Sequence, residues 1–284
     1  MVCGSDSPRR AGVLLHPISL PGRYGAKGFG WQARRFVDLL AGARHSLWQI
    51  MPLGPSGPGN SPYAARSSFA FDPIFISCDE LAERGYLAGD ELDPDGFDER
   101  RVEYDRVKAW KSDRLGRAFA RFVEQGGEDE DLWRFRETAA GWLPDFCLFM
   151  ALREQHGFWP GWPEPLRLRD GDALAEARAV LSRQIRYQEF VQWCAHRQWV
   201  ALRGYANERG IAIVGDVPIF VDIDSADAWA NQGIFKLDES ARPYVVAGVP
   251  PDAFSATGQR WGNPLYDWQR LRERGYDWWI DRLR

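Results

Sequence analysis

Ile211–Trp268 reads IAIVGDVPIFVDIDSADAWANQGIFKLDESARPYVVAGVPPDAFSATGQRWGNPLYDW, and the class of the fold is decided at its start. Ile211–Val214 is a short apolar run without polar alternation, the pattern of a parallel strand covered on both faces. Gly215 then lets the backbone turn, Asp216 puts a carboxylate just past the strand end, and Pro218 prevents a helix from starting at once. In parallel α/β proteins sites gather at the carboxyl ends of strands, because the loops there are free of packing duty. The stretch closes with residues 245–263, rich in Gly and Pro yet carrying Asp252, Phe254, Gln259, Trp261 and Asn263. A plain connector has no need of carboxylate, amide and aromatic groups at this density, so the segment is expected to be a loop that faces a ligand.

Upstream, Ala11–Leu15 reads as a buried strand ending at His16-Pro17. The helix after it carries Ala33, Phe36, Val37 and Leu40 on one stripe, and Leu47–Met51 is the next strand. Strand, helix, strand is the βα repeat of a parallel sheet or barrel. From Asp79 to about Arg186 the strand signal gives way to helix. Leu115, Ala118, Phe119 and Phe122 form one stripe, and Phe146, Phe149, Met150 and Arg153 form another whose fourth position is charged. Two prolines and a glycine exclude Phe158–Pro163 from a helix. Tyr187–Glu208 is a long amphipathic helix with Phe190, Val191 and Cys194 inward and Gly210 placed to end it. Asp224-Ser225-Ala226-Asp227 has the form of a helix start, which makes Asp222, Asp224 and Asp227 structural acids. Leu271–Arg284 reads as one last helix.

With 284 residues the chain can bury a large core, and a net charge of −4 without any basic tract weighs against nucleic acid as a partner. Cys3, Cys78, Cys147 and Cys194 stand far apart, so neither a metal site nor a disulfide framework is indicated, and isolated thiols fit a cytoplasmic protein. No apolar run approaches the length of a membrane span, and Met1 is not followed by a charged-then-apolar leader. The aromatic content of 14 Trp, 16 Phe and 9 Tyr is the one outlier. Most of these rings belong in a core, but a pyranose also presents C–H groups to an aromatic face.

VAGVPPDAFSATGQRWGNPLYDW closely resembles the loop signature of the amylomaltase, or 4-alpha-glucanotransferase (disproportionating enzyme), family of the α-amylase superfamily. GDVPIFVDIDSADAWAN resembles the segment preceding it there, and RAGVLLHPISLPGRYGAKGFG and LWQIMPLGPSGPGNSPYA resemble the first two strand-plus-loop units. The resemblance implies an α/β fold, a (β/α)8 TIM-type barrel here truncated after about three strands, with a helical insertion. Residues 1–79 would hold barrel strands one and two, 80–185 the insertion, and 186–284 the third strand, the active-site loop and the following helix. It also implies a retaining transfer of α-1,4-glucan segments between maltooligosaccharides, with no cofactor, no metal and no nucleic-acid or membrane partner.

By the same resemblance Tyr63 lines the sugar site next to the reacting bond, Asp216 supports the reacting sugar without attacking it, and Asp252, Phe254, Gln259, Trp261 and Asn263 line the cleft. This chain departs from the family around Tyr63, with Asn60 where Asp is usual and Ala64 where Gln is usual. Retaining transfer needs two carboxyl groups about 5–5.5 Å apart. The family's nucleophile stands on an Arg-x-Asp-His strand end after the fourth strand and its acid/base Glu after the fifth. Neither motif occurs here, so both are expected beyond Arg284. A non-catalytic glucan-binding remnant is one alternative; a related α-glucan hydrolase is the other, and the VPPDAFSATGQRWGNP string argues against it. Three strands taken from a ring of eight would leave an inner face open to water.

Overall fold

Three short strands pair in parallel in the order β1 (Gly12–Leu14), β2 (Leu47–Gln49) and β3 (Ala212–Val214), with Val13, Trp48 and Ile213 in register. The computed structural model of the protein describes residues 9–93 and 96–283, so Cys3 and the rest of the polar amino terminus lie outside the described chain. The two faces of the sheet differ. Trp48 is fully buried, meets Phe36 of the helix Trp31–Gly42 edge-on at 5.1 Å and donates its indole N–H to Leu15 O at 2.7 Å. Leu14, Gln49 and Val214 form the register row on the opposite face and are exposed, Leu14 by 56% and Val214 by 40%. The two-sided burial expected of Ile211–Val214 therefore fails at Val214. In a three-residue strand an apolar run alone cannot tell a covered face from an open one.

The chain divides into two units. One joins the stretch up to Pro52 with Pro73–Gly126 and Cys194–Val217; the other joins Leu53–Asp72, Gly127–Trp193 and the stretch from Pro218. In the first, the expected stripes hold: Ala33, Val37 and Leu40 are buried on Trp31–Gly42, and Leu115, Ala118, Phe119 and Phe122 on Tyr104–Glu124. In the same unit the segment 73–77, which opens with the 3₁₀ turn Pro73–Phe75, is buried from Ile74 onward and has no ladder to satisfy it. Lys111, itself buried, donates its ammonium to Ile76 O at 2.8 Å and to Ile74 O. Gln198 accepts from Ser77 N at 2.7 Å and donates to Ser77 O at 3.1 Å, as a neighbouring strand would. Gly28 passes so close to this segment that a Cβ would lie 1.7 Å from Phe75 O.

The second unit is mainly helical and centred on aromatic rings. Phe149 of the helix Leu143–His156, Trp162 and Trp229 form a triangle with centroids 5.5–5.9 Å apart. The indole N–H groups reach carbonyls: Trp162 to Gly157 O at 2.9 Å, Trp229 to Leu166 O at 3.0 Å, and Trp159 to Ile223 O. Trp159–Gly161 forms a single 3₁₀ turn within the FWPGWP segment, with Pro160 at its second position, still in the first turn where no N–H is needed. Gln192, on the helix Ser182–Glu208 that begins earlier than the periodicity indicates, repeats the action of Gln198: it accepts from Phe71 N at 2.8 Å and donates to Phe71 O at 2.9 Å. The expected helix start is Ala226–Ala230, capped by Ser225 Oγ accepting from Ala228 N at 3.1 Å. Leu271–Arg284 is not one helix but two, Trp268–Glu273 and Asp277–Leu283, because Gly275 and Tyr276 turn left-handed with φ of 65° and 58°.

Two predictions concern these buried polar groups. Replacing Gln198 by Leu leaves Ser77 N–H and C=O without partners and should lower unfolding free energy by about 2–4 kcal/mol; a shift in the urea midpoint worth less than about 0.5 kcal/mol would contradict it. Asp227 is buried and accepts from Ser68 N at 2.7 Å, and burial pushes its carboxyl up from 3.8 to about 6 against the opposing Ser68 amide and Arg282. The folded state thus holds a proton that the unfolded chain releases near pH 4. This contribution to stability is complete below pH 4 and is lost as pH rises through 6, by at most roughly 3 kcal/mol. Asp227→Asn keeps the acceptor for Ser68 and removes the titration. Its stability relative to the parent should therefore rise between pH 4 and 6 in urea titrations, and a constant difference across that range would refute the assignment.

Candidate functional site

Residues 245–263, expected as a loop, form an antiparallel hairpin of β4 (Val246–Val249) and β5 (Gln259–Pro264), irregular between Val246 and Gly248. No alternation announces it, because most of its side chains face solvent. Glycine makes it possible at two points: a Cβ on Gly248 would lie 2.5 Å from Gln259 O, and Gly258 turns with φ of 74° where a Cβ would lie 2.5 Å from Val249 O. The connecting turn is built by Asp252, whose Oδ1 accepts from Phe254 N at 2.9 Å and Ser255 N at 2.8 Å. Ser255 Oγ then donates to Gly258 O at 2.8 Å. Phe254, at the tip, is 94% exposed.

On β5 the spacing of two brings Gln259 and Trp261 to one side, and Gln259 Oε1 accepts the Trp261 indole N–H at 2.9 Å. This bond fixes the indole, which stays 50% exposed and touches Phe220 edge-on at 6.4 Å. Gly262, with φ of 85°, interrupts the extended run, and Asn263 turns to donate through Nδ2 to Val221 O at 2.7 Å. Tyr266 OH donates to Ile219 O at 3.0 Å, and Arg282 donates to Pro218 O. The segment Pro218–Val221 is thereby tied to β5 and to the helix Asp277–Leu283. Burial also raises the Tyr266 phenol well above its ordinary value, so it stays a neutral donor.

Tyr63 stands on a second irregular element. Its loop is closed by the bridge Ser56–Ala65 and by Gly57 N donating to Ala64 O at 2.9 Å. Tyr63 N donates to Ser61 Oγ at 3.3 Å, and the side chain is 50% exposed. The base is held by Asp72, whose Oδ2 accepts from Ser56 N at 2.9 Å and Ser56 Oγ at 2.8 Å. The return limb is held by the acids of the 222–227 segment. Asp224 accepts from Arg66 and from Arg153 (Nη2 at 2.7 Å), Asp227 accepts from Ser68 N, and Asp222 Oδ1 accepts from Asp224 N at 2.8 Å. These three acids serve the structure, as the helix-start reading expects. Arg66 and Arg153 escaped the sequence reading; the only trace was a charge at the fourth position of the Phe146 stripe.

Asp216 belongs to the first unit and is half-buried two residues beyond β3, whereas Tyr63 and the hairpin belong to the second. His16 is buried just past β1, edge-on to Phe75 at 5.3 Å. Among the described residues no group of three or more His, Cys, Asp or Glu could hold a metal ion, and no helix is long and apolar enough to cross a membrane.

The family profile described as 4-alpha-glucanotransferase matches residues 15–284. The chain is 50% identical over 282 residues to the 4-alpha-glucanotransferase of Thermus thermophilus, covering 98% of this chain and 56% of that protein. It is 46% identical over 283 residues to that of Synechocystis sp., covering 97% and 56%. Its structure is similar to the amylomaltase from Streptococcus agalactiae in complex with acarbose, with a TM-score of 0.92, 38% identity, and coverage of 96% of this chain and 56% of that one. The amylomaltase from Corynebacterium glutamicum shares the fold at a TM-score of 0.71 and 22% identity, over 96% of this chain and 38% of its own. The chain thus spans little more than half the length of the curated relatives it matches, and by the match over residues 15–284 it belongs to the 4-alpha-glucanotransferase family.

Proposed function

We propose that this chain supplies the sugar-holding part of a 4-alpha-glucanotransferase, taking α-1,4-glucans and maltooligosaccharides as substrates of a retaining transfer. One observation carries the reading. A chain that buries Trp48, Trp159, Trp162, Trp193 and Trp229 completely keeps the rings of Tyr63 and Trp261 half exposed, each on an element whose backbone is fixed by polar tethers. Rings that are rigid and yet wet offer a face to the C–H groups of a pyranose at little entropic cost. Gln259, Asp252 and Asn263 set the hairpin, and Phe254 at its tip is placed to exclude water from a bound glucan. Asp216, half-buried beyond β3, supports the reacting sugar electrostatically. No residue of this chain is assigned as nucleophile or acid/base, because neither the Arg-x-Asp-His strand end nor the Glu that follows it in the resembled family occurs here; Asp72, Asp222, Asp224 and Asp227 are engaged by backbone or arginine.

The parallel order of β1, β2 and β3, the helix between the first two, and the open row Leu14, Gln49 and Val214 support reading the sheet as opening strands of a (β/α)8 barrel, with the helices of 80–185 as an insertion. The described cysteines Cys78, Cys147 and Cys194 are buried thiols, which supports a cytoplasmic setting.

Calorimetric titration with maltoheptaose tests the reading. The chain should bind without converting it to shorter and longer maltooligosaccharides. Tyr63→Ala should weaken binding by about 1–1.5 kcal/mol, roughly five- to tenfold, while Tyr63→Phe, which keeps the ring, should recover most of it. Unchanged affinity in the Ala variant would show that Tyr63 is turn structure alone.

A further inference from the structure

The Tyr63 loop is closed at its base by the Ser56–Ala65 bridge and by Arg66 N donating to Pro55 O at 2.8 Å. Gly59 and Asn60 are both left-handed, with φ of 78° and 55°, and the bonds inside it are those of tight turns: Asn60 N to Gly57 O at 3.2 Å and Ala64 N to Ser61 O at 3.2 Å. The limb that leaves it carries a second set of ties. Two residues of that limb, Arg66 and Ser68, are stitched to the segment 224–227. Arg66 O accepts from Ala226 N at 2.8 Å, Arg66 Nη1 donates to Asp224 O at 3.3 Å and to Asp224 Oδ2, and Ser68 N donates to Asp227.

Asp224 is the node of this set. Its carboxylate also accepts from Arg153 Nε at 3.1 Å and Nη2 at 2.7 Å, and Arg153 projects from the long helix Leu143–His156 of the aromatic core. Both guanidinium groups and the carboxylate are largely shielded from water, with side-chain exposures of 12%, 26% and 11% for Arg66, Arg153 and Asp224. Two shielded cations on one anion have a definite consequence. With the carboxylate in place each arginine is held; without its charge they repel, and Arg66 passes the displacement to the limb beside the Ser56–Ala65 bridge. A shift of that limb moves Tyr63, three residues earlier on the same turn.

From this geometry we infer that Asp224, by holding Arg66 against Arg153, is the positioning residue for the Tyr63 ring. The inference rests on the proposed sugar-binding role of Tyr63 for its functional consequence, but the position of the ring is a separate and measurable claim. Asp224 does not touch the glucan. It transmits the rigidity of the Leu143–His156 helix to a half-exposed aromatic side chain, so its loss costs affinity only through that ring.

Two measurements on the full chain test it. In the first, 3-fluorotyrosine is incorporated and the Tyr63 signal identified by its absence in Tyr63→Phe. Asp224→Asn should shift or broaden the Tyr63 ¹⁹F resonance with no sugar present. In the second, maltoheptaose affinity is measured in a double-mutant cycle: Asp224→Asn should weaken binding about tenfold in the parent and less than twofold when Tyr63 is already Ala. Equal weakening in both backgrounds overturns the inference in favour of a general structural role, as does an unmoved Tyr63 resonance. If Asp224→Asn does not fold cooperatively, Arg66→Gln leaves the Asp224–Arg153 pair intact and should give the same resonance change and the same non-additivity. If the parent chain binds no maltoheptaose, the proposed function falls while the resonance still decides the positioning claim.

Discussion

Backbone buried outside a helix or a ladder must find its hydrogen bonds in side chains, and much of this molecule follows from that constraint. The parallel sheet has strands of three residues, and the chain from 53 to 77 that runs beyond β2 is almost entirely irregular. Gln192 and Gln198 answer this in the same way, each offering one acceptor and one donor to a single residue, Phe71 and Ser77. Neutral amides suit the task because their burial leaves no charge to compensate. Lys111 does it with a full charge, which is tolerable because its ammonium meets two carbonyl oxygens.

The same constraint sorts the acids and the aromatics. Asp72, Asp222, Asp224 and Asp227 are held by backbone N–H groups or arginines, and Asp252 by the turn it builds. A carboxylate so engaged is a poor candidate for attack on a sugar, because its lone pairs would have to leave existing partners first. Among the rings, the core tryptophans Trp48, Trp159, Trp162 and Trp229 bury their faces and satisfy their N–H groups on carbonyls. Trp261 satisfies its N–H on a side chain, Gln259, and keeps half of its surface in water.

What was legible in the sequence was whatever local periodicity and capping chemistry encode. The apolar runs found all three parallel strands, the Leu115 and Ala33 stripes became buried helix faces, and Ser225 capped the helix where its position suggested. The hairpin was missed because an antiparallel pair standing in solvent needs no alternation, and its register depends on Gly248 and Gly258 admitting carbonyls. The break at Gly275 was missed because the apolar positions on either side, Leu271 and Trp278, remain at helical spacing across it. The residues that matter most to the Tyr63 loop were invisible for a different reason. Arg66 and Asp224 are 158 positions apart and Arg153 and Asp224 71 apart, so no window of sequence contains the interaction.

That separation also bears on why buried charge is tolerated near this loop at all. A shielded ion pair contributes little net stability, since desolvation offsets most of the attraction. An apolar contact of the same size would stabilise the fold as well. It would not fix direction, however, whereas two guanidinium groups on one carboxylate leave few arrangements for the limb that carries them. Ordering each residue of a flexible loop costs about 1–2 kcal/mol. If the limb after Tyr63 were loose, that cost would fall on ligand binding; held by Asp224 and Asp227, it is met when the chain folds. The acids of this segment are therefore best understood through the entropy they remove from the loop before any sugar arrives.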